Sequence, residues 1–193
     1  MTMTALAVGM AYVLGSVPTG LWLGQRLRKV DIREHGSKNI GATNTMRVLG
    51  KGLGIVALAG DMAKGYVAVA FIAQLSDWEY APIACALAAI AGHTWSLFLK
   101  FGGGKGVATS AGAFFGIAPI PMLIALVVFL IVVGVTRMVS AASMLSATAL
   151  AITIFFYSED RFVQAIVVAV ALLVIFRHRD NIKRILSGTE NKL

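Results

Sequence analysis

The sequence predicts an all-α membrane protein: a polytopic bundle of seven transmembrane helices, one of them short. Three observations predict it. Hydrophobic residues make up 58% of the 193 residues and charged residues only 13%, about half the charged share of a water-soluble domain. Mean hydropathy is +0.82, so lipid must be the solvent for much of the surface. The apolar residues also fall into runs of spanning length, separated by short polar segments. No long repeat, low-complexity segment or soluble domain interrupts this pattern, and 1–193 reads as a single integral membrane domain.

A spanning helix needs about 20 apolar residues. The first run, 4–25, lacks a basic stretch before it and a small-residue cleavage site after it, so it reads as a retained span and not a signal peptide. The polar segment 26–51 is the longest excursion; it is too short to fold alone and is expected to dock on the bundle as a cytoplasmic loop. The runs 52–75 and 81–99 are the next two spans. A glycine-rich loop then leads into 107–136, which as one helix would be about 45 Å long. Ala118-Pro119-Ile120-Pro121 interrupts it. Two prolines this close remove donors and clash with the preceding turn, so a short helix ends near 118 and a full one follows. Runs 138–157 and 161–176 complete the seven, and from Arg177 the chain is polar and basic.

Charge sets the orientation. With seven helices and the N-terminus outside, every Lys and Arg except Arg161 falls in or beside a cytoplasmic segment, the tail included. With six helices the basic tail would lie opposite the basic first loop, against the positive-inside rule. The net charge of +8 therefore reflects orientation and contact with membrane lipid. The basic residues sit in loops between apolar runs, which argues against a nucleic-acid partner. Cys85 lies in an apolar run and reads as a small core residue, and no Cys/His cluster has metal-ligand spacing.

Three polar stretches carry candidate chemistry. The first loop is dense in small residues around cations, with Gly36, Ser37, Asn39, Gly41, Thr43, Asn44 and Arg47. Small residues let backbone N–H groups form an anion-binding nest, and arginine adds a planar fork for phosphate oxygens; an ordinary solvated loop is the other reading. The second stretch, Gly102-Gly103-Gly104-Lys105-Gly106-Val107-Ala108-Thr109-Ser110, feeds a helix start. That arrangement suits a phosphate, with Lys105 as the point charge. It lacks the spacing of a nucleotide-binding loop and no strand precedes it; the alternative is a flexible turn. The third is the tail, where His178 and Asn181 share a helical face among arginines and lysines; a basic anchor for anionic lipid explains it equally. Ser143, near Ser140, is a further candidate for phosphate oxygens. Asp61 and Lys64, three apart inside the second run, read as an anchoring pair.

These motifs, together with Gly15-Ser16-Val17-Pro18-Thr19-Gly20 and His93, resemble the bacterial acyl-phosphate:glycerol-3-phosphate acyltransferases over essentially the whole chain. The resemblance implies transfer of a fatty acyl group from acyl phosphate to the 1-hydroxyl of glycerol 3-phosphate, giving lysophosphatidate and inorganic phosphate. That is the first step of phospholipid synthesis, at the cytoplasmic face of the bacterial inner membrane. It implies Lys105, His178, Asn181, Ser37 and Arg47 as catalytic. It implies Gly36, Asn39, Gly41, Thr43, Asn44, Gly103, Gly104, Gly106, Thr109 and Ser143 as substrate-binding. No cofactor and no metal are expected; the sequence leaves the oligomeric state open, a monomer included. The soluble acyltransferases carry an H-x-x-x-x-D pair; here the residues five after His35, His93 and His178 are Ile40, Phe98 and Lys183.

Acyl phosphate is a mixed anhydride, so no strong protein nucleophile is needed. The proton acceptor is either His178 or a substrate phosphate oxygen, and the resemblance favours the phosphate oxygen. The competing class is a transporter of a phosphorylated anion. Such a protein places its site near the midplane, often within inverted repeats, whereas these motifs cluster on one face.

Overall fold

The computed structural model describes residues 2–193. All regular structure among them is helical. The chain divides into two compact units, one ending at Ile117 and one spanning Ala118–Leu193.

The first unit begins with a bent segment, α1 (Thr2–Ser16) and α2 (Thr19–Leu23), the latter continued by a π turn over Gly24–Arg28. The two halves meet at 45°, so the single helix expected over 4–25 is broken. The cause is Pro18, which has no N–H and crowds the turn before it. Carbonyls freed at the break find side-chain donors: Lys64 Nζ reaches Val17 O at 2.9 Å and Ser96 Oγ reaches Ser16 O at 2.6 Å. After a loop come α3 (Ala42–Leu49) and α4 (Lys51–Val67), which continues through π and 3₁₀ turns to Leu75. Next come α5 (Ala81–Thr94), with proline in its first turn, and α6 (Val107–Ile117).

Glycines set the packing of this unit. Gly15 of α1 lies against the Ala89 backbone, and Gly92 of α5 lies against the Tyr12 carbonyl. Gly65 of α4 and Gly112 of α6 do the same with Thr109 and Met62. A Cβ at any of the four would overlap backbone, so the helices approach as closely as small-residue packing in membranes allows. The first loop is held by its own apolar residues, with Ile32 and Ile40 buried beside Leu21.

In the second unit, α7 (Pro119–Thr136), α8 (Val139–Tyr157) and α9 (Arg161–Arg177) pack in sequence. The break before α7 falls at Ala118–Pro119, where the two prolines place it. Arg137 ends α7 in a left-handed conformation, its N–H donating to Val133 O at 2.8 Å. Asp160 caps α9 by accepting from Phe162 N and Val163 N. Finally α10 (Arg179–Leu186) leaves α9 at 55°.

Large apolar side chains point outward from these helices, Val135 at 81% exposure and Phe156 at 80%, as a lipid-facing surface requires and a watery one forbids. Four helical segments are long and apolar enough to cross a membrane: Lys51–Leu75, Ala81–Leu99, Pro119–Thr136 and Val139–Tyr157. Counting each bent pair as one span gives six, while Val107–Ile117 is apolar but shorter.

Candidate active site

The glycine loop before α6 is fixed by the end of α5. Gly104 N donates to His93 O at 2.9 Å and Ser96 N donates to Gly102 O at 2.8 Å. Gly104 also lies against the His93 ring, where any side chain would collide with Nε2. Gly106 takes a positive φ of 80°, a conformation that favours glycine, and turns the chain into α6. Lys105, between these two buried glycines, is half-buried. A Cβ on residue 106 would come within 3.2 Å of Thr94 Oγ1 and 3.9 Å of Ser110 Oγ. The hydroxyls of Thr94, Thr109 and Ser110 are buried and have no hydrogen-bond partner among the described residues. Buried polar groups are rarely left unpaired, so three such hydroxyls beside a helix start and a lysine have the capacity for ligand oxygens.

The first loop is organised around Asn44, buried at the start of α3. Its Nδ2 donates to the carbonyls of Ile32, Asn39 and His35 at 2.8, 2.8 and 3.2 Å, and its Oδ1 accepts from Ser37 N at 2.8 Å. Gly36, at φ 59°, passes directly over that oxygen. Asn39 Oδ1 accepts from Gly41 N at 2.9 Å, and Thr43 follows in the first turn of α3. Asn44 and Asn39 therefore shape the loop, while Ser37 and Arg47 are exposed on it. Nearby, the Arg33 guanidinium forks onto Asp31 and holds that carboxyl down to a pKa of about 2.

In the second unit, His178 stands at the junction of α9 and α10. Its Nδ1 lies 2.7 Å from Val174 O. A carbonyl only accepts, so Nδ1 carries the hydrogen and Nε2 is the accepting nitrogen of the neutral ring. Asn181 follows one turn later, and its Nδ2 donates to Glu190 Oε1 at 2.6 Å. Ser140 Oγ donates to the same oxygen at 2.7 Å and Arg184 Nε to Oε2 at 2.8 Å. Burial opposes the ionisation of Glu190, but these three donors and the Arg184 charge outweigh it and hold its carboxyl below the usual range. Ser143 instead donates back to Val139 O within α8, at 2.8 Å.

The model of the glycerol-3-phosphate acyltransferase family matches residues 5–188. The chain belongs to that family. Curated members include the glycerol-3-phosphate acyltransferases of Macrococcus caseolyticus, 47% identical over 98% of this chain and 96% of that one, and of Fusobacterium nucleatum, 45% identical over 95% and 94%. Two solved structures of PlsY, an integral membrane glycerol 3-phosphate acyltransferase, superpose on it. The glycerol 3-phosphate form has a TM-score of 0.90 at 33% identity, and the lysophosphatidic acid form 0.87 at 32%; each covers 98% of this chain and 95% of the other.

As a member of this enzyme family, the chain has polar residues that sequence reasoning passed over. Glu190 was not singled out, although it is an acid nine residues beyond Asn181 in a basic tail. Thr94 gave no signal, while Ser110 closes the glycine-loop stretch without a role of its own in the sequence. The pairing expected of Asp61 and Lys64 is present at 2.9 Å, and it extends to His93, whose Nδ1 lies 2.8 Å from Lys64 Nζ.

Proposed function

We propose that the protein acylates the 1-hydroxyl of glycerol 3-phosphate, using acyl phosphate as donor and releasing lysophosphatidate and inorganic phosphate. The observation that carries this reading is the glycine loop at the start of α6, where the unpartnered hydroxyls of Thr94 and Ser110 lie beside Gly106, the residue after Lys105, in a chain of this family. Lys105, the loop N–H groups with Gly103, Gly104 and Gly106, and Thr109 hold phosphate charge. The resemblance assigns Ser37, Arg47, His178 and Asn181 to orienting glycerol 3-phosphate, and Gly36, Asn39, Gly41, Thr43, Asn44 and Ser143 to binding substrate.

The glycerol oxygen attacks the acyl carbonyl carbon, the carbonyl–oxygen bond to phosphate breaks, and phosphate leaves with that electron pair. The proton passes to a phosphate oxygen, while His178 Nε2 accepts a hydrogen bond from the hydroxyl and aligns it. Orientation of this kind lowers barriers by about 7–11 kcal/mol, enough that no covalent acyl-enzyme is needed. The acyl chain lies between helices, open to lipid.

On this reading the chain is one membrane domain in the bacterial inner membrane, crossing it seven times with the short α6 included. The N-terminus is outside, and the 26–51 loop and the tail are cytoplasmic. The distribution of Lys and Arg supports that orientation.

The alternative class, a carrier of phosphorylated anions, is separated by reconstitution. Liposomes with purified protein and external radiolabelled glycerol 3-phosphate should trap no label inside, yet form labelled lysophosphatidate when acyl phosphate is added. Label accumulating inside without product would make the protein a carrier.

A further inference from the structure

The buried polar group of the first unit lies outside the catalytic residues assigned above. Asp61, Lys64 and His93 are 1%, 4% and 4% exposed, within helices otherwise apolar. Lys64 Nζ has three acceptors for its three hydrogens: Asp61 Oδ1 at 2.9 Å, Val17 O at 2.9 Å and His93 Nδ1 at 2.8 Å. Thr19 Oγ1 donates to Asp61 Oδ1 at 3.1 Å from across the Pro18 break. An ammonium only donates, so His93 Nδ1 accepts and the ring carries its hydrogen on Nε2. Asp61 and Lys64 cancel in charge and His93 is neutral, which is the form tolerated at membrane depth.

The other edge of the same ring faces the glycine loop. Nε2 occupies the space that a Cβ on residue 104 would need, and the His93 carbonyl accepts the Gly104 N–H at 2.9 Å. One residue thus holds Gly104 from two sides, beside Lys105. We propose that His93 is a positioning residue for phosphate binding: Asp61 and Lys64 set its tautomer and ring plane, and the ring holds the Gly102–Gly106 loop in its phosphate-binding shape. The same group explains the Gly15–Gly20 segment, whose broken helix supplies Val17 O and Thr19 to it. This inference rests on the reading of the glycine loop as a phosphate site.

The test compares three substitutions at His93 with Lys105→Ala, measuring KM for both substrates, kcat, and melting temperature in detergent. His93→Ala should raise the KM of at least one substrate about ten- to a hundredfold, the scale of a small misplacement of binding groups, with kcat changed much less and the protein still folded. His93→Gln places an amide near the Nε2 position and should restore most of the affinity. His93→Asn places its amide near Nδ1, keeping Lys64 satisfied but leaving Gly104 unsupported, and should not. If His93→Ala does not fold, the Gln and Asn variants carry the comparison. Rescue by Asn and not Gln, or unchanged KM values in folded His93→Ala while Lys105→Ala loses about 10²–10³ in kcat/KM, would overturn the role of His93 alone. Near-wild-type kcat/KM in Lys105→Ala would overturn the phosphate reading of the loop and this inference with it.

Discussion

What His178 can do depends on which ring nitrogen carries the hydrogen. Val174 O takes the Nδ1 hydrogen, so in the neutral ring Nε2 is the nitrogen able to accept from a hydroxyl, whether the proposed role is to remove the proton or only to align it. The reaction favours alignment, because the leaving group is good and phosphate oxygens with a second pKa near 6 are at hand. His178→Gln is expected to keep a measurable part of kcat, and the acid limb of the pH profile between pH 5 and 9 should persist. His178→Gln combined with Asn181→Ala should lose less than the product of the single losses. A general base is worth about 10²–10⁴ in rate, so a collapse of His178→Gln to background across that range would assign the proton to the ring. At this scale the sequence marks Lys105, His178, Asn181, Ser37 and Arg47 through polar side chains set among glycines or cations. His93 is marked only through the family resemblance; the contact that gives it meaning, with Lys64 29 residues away, is not legible in the sequence.

At the scale of elements, the C-terminal segment is tied down by the Glu190 carboxylate, together with a backbone hydrogen bond from Leu193 N to Arg137 O at 2.8 Å. Glu190 collects donors from α8 and α10 and draws Asn181 into the same group. Its pKa is depressed in the folded protein, so the stability it contributes is complete above the ordinary glutamate value of 4.5 and is lost as pH falls through the lower folded value. A fluorophore on Lys192→Cys should therefore keep its anisotropy from pH 8 to 5 and lose it only in more acid solution. Glu190→Gln, which retains the shape without the charge, should show the low anisotropy already at pH 7. A fall in the parent protein between pH 7 and 5 would contradict the account. The double-proline end of α6 was legible because Pro119 and Pro121 act locally. The break at Pro18 was not, since one proline in a continuous apolar run is tolerated in membrane helices when distant donors take the freed carbonyls; here Lys64 and Ser96 do so.

At the scale of the whole molecule, composition and apolar run length identify a membrane protein, since chain chemistry and bilayer thickness decide both. The glycine contacts between α1 and α5 and between α4 and α6 are not legible, because a glycine in an apolar run looks the same whether or not a backbone rests on it. The proposed orientation rests on charge alone: in intact cells a cysteine at Ser158 should react with an impermeant thiol reagent and one at Lys192 should not, and the reverse would invert the topology. The measurement closest to the central claim is mass analysis of the products formed by the purified protein from glycerol 3-phosphate, with acyl phosphate and acyl-CoA supplied in separate reactions. Acyl phosphate is expected to give lysophosphatidate and one equivalent of inorganic phosphate, and acyl-CoA to give no product above a Lys105→Ala control. Comparable turnover with acyl-CoA, or no lysophosphatidate from acyl phosphate, would contradict the account.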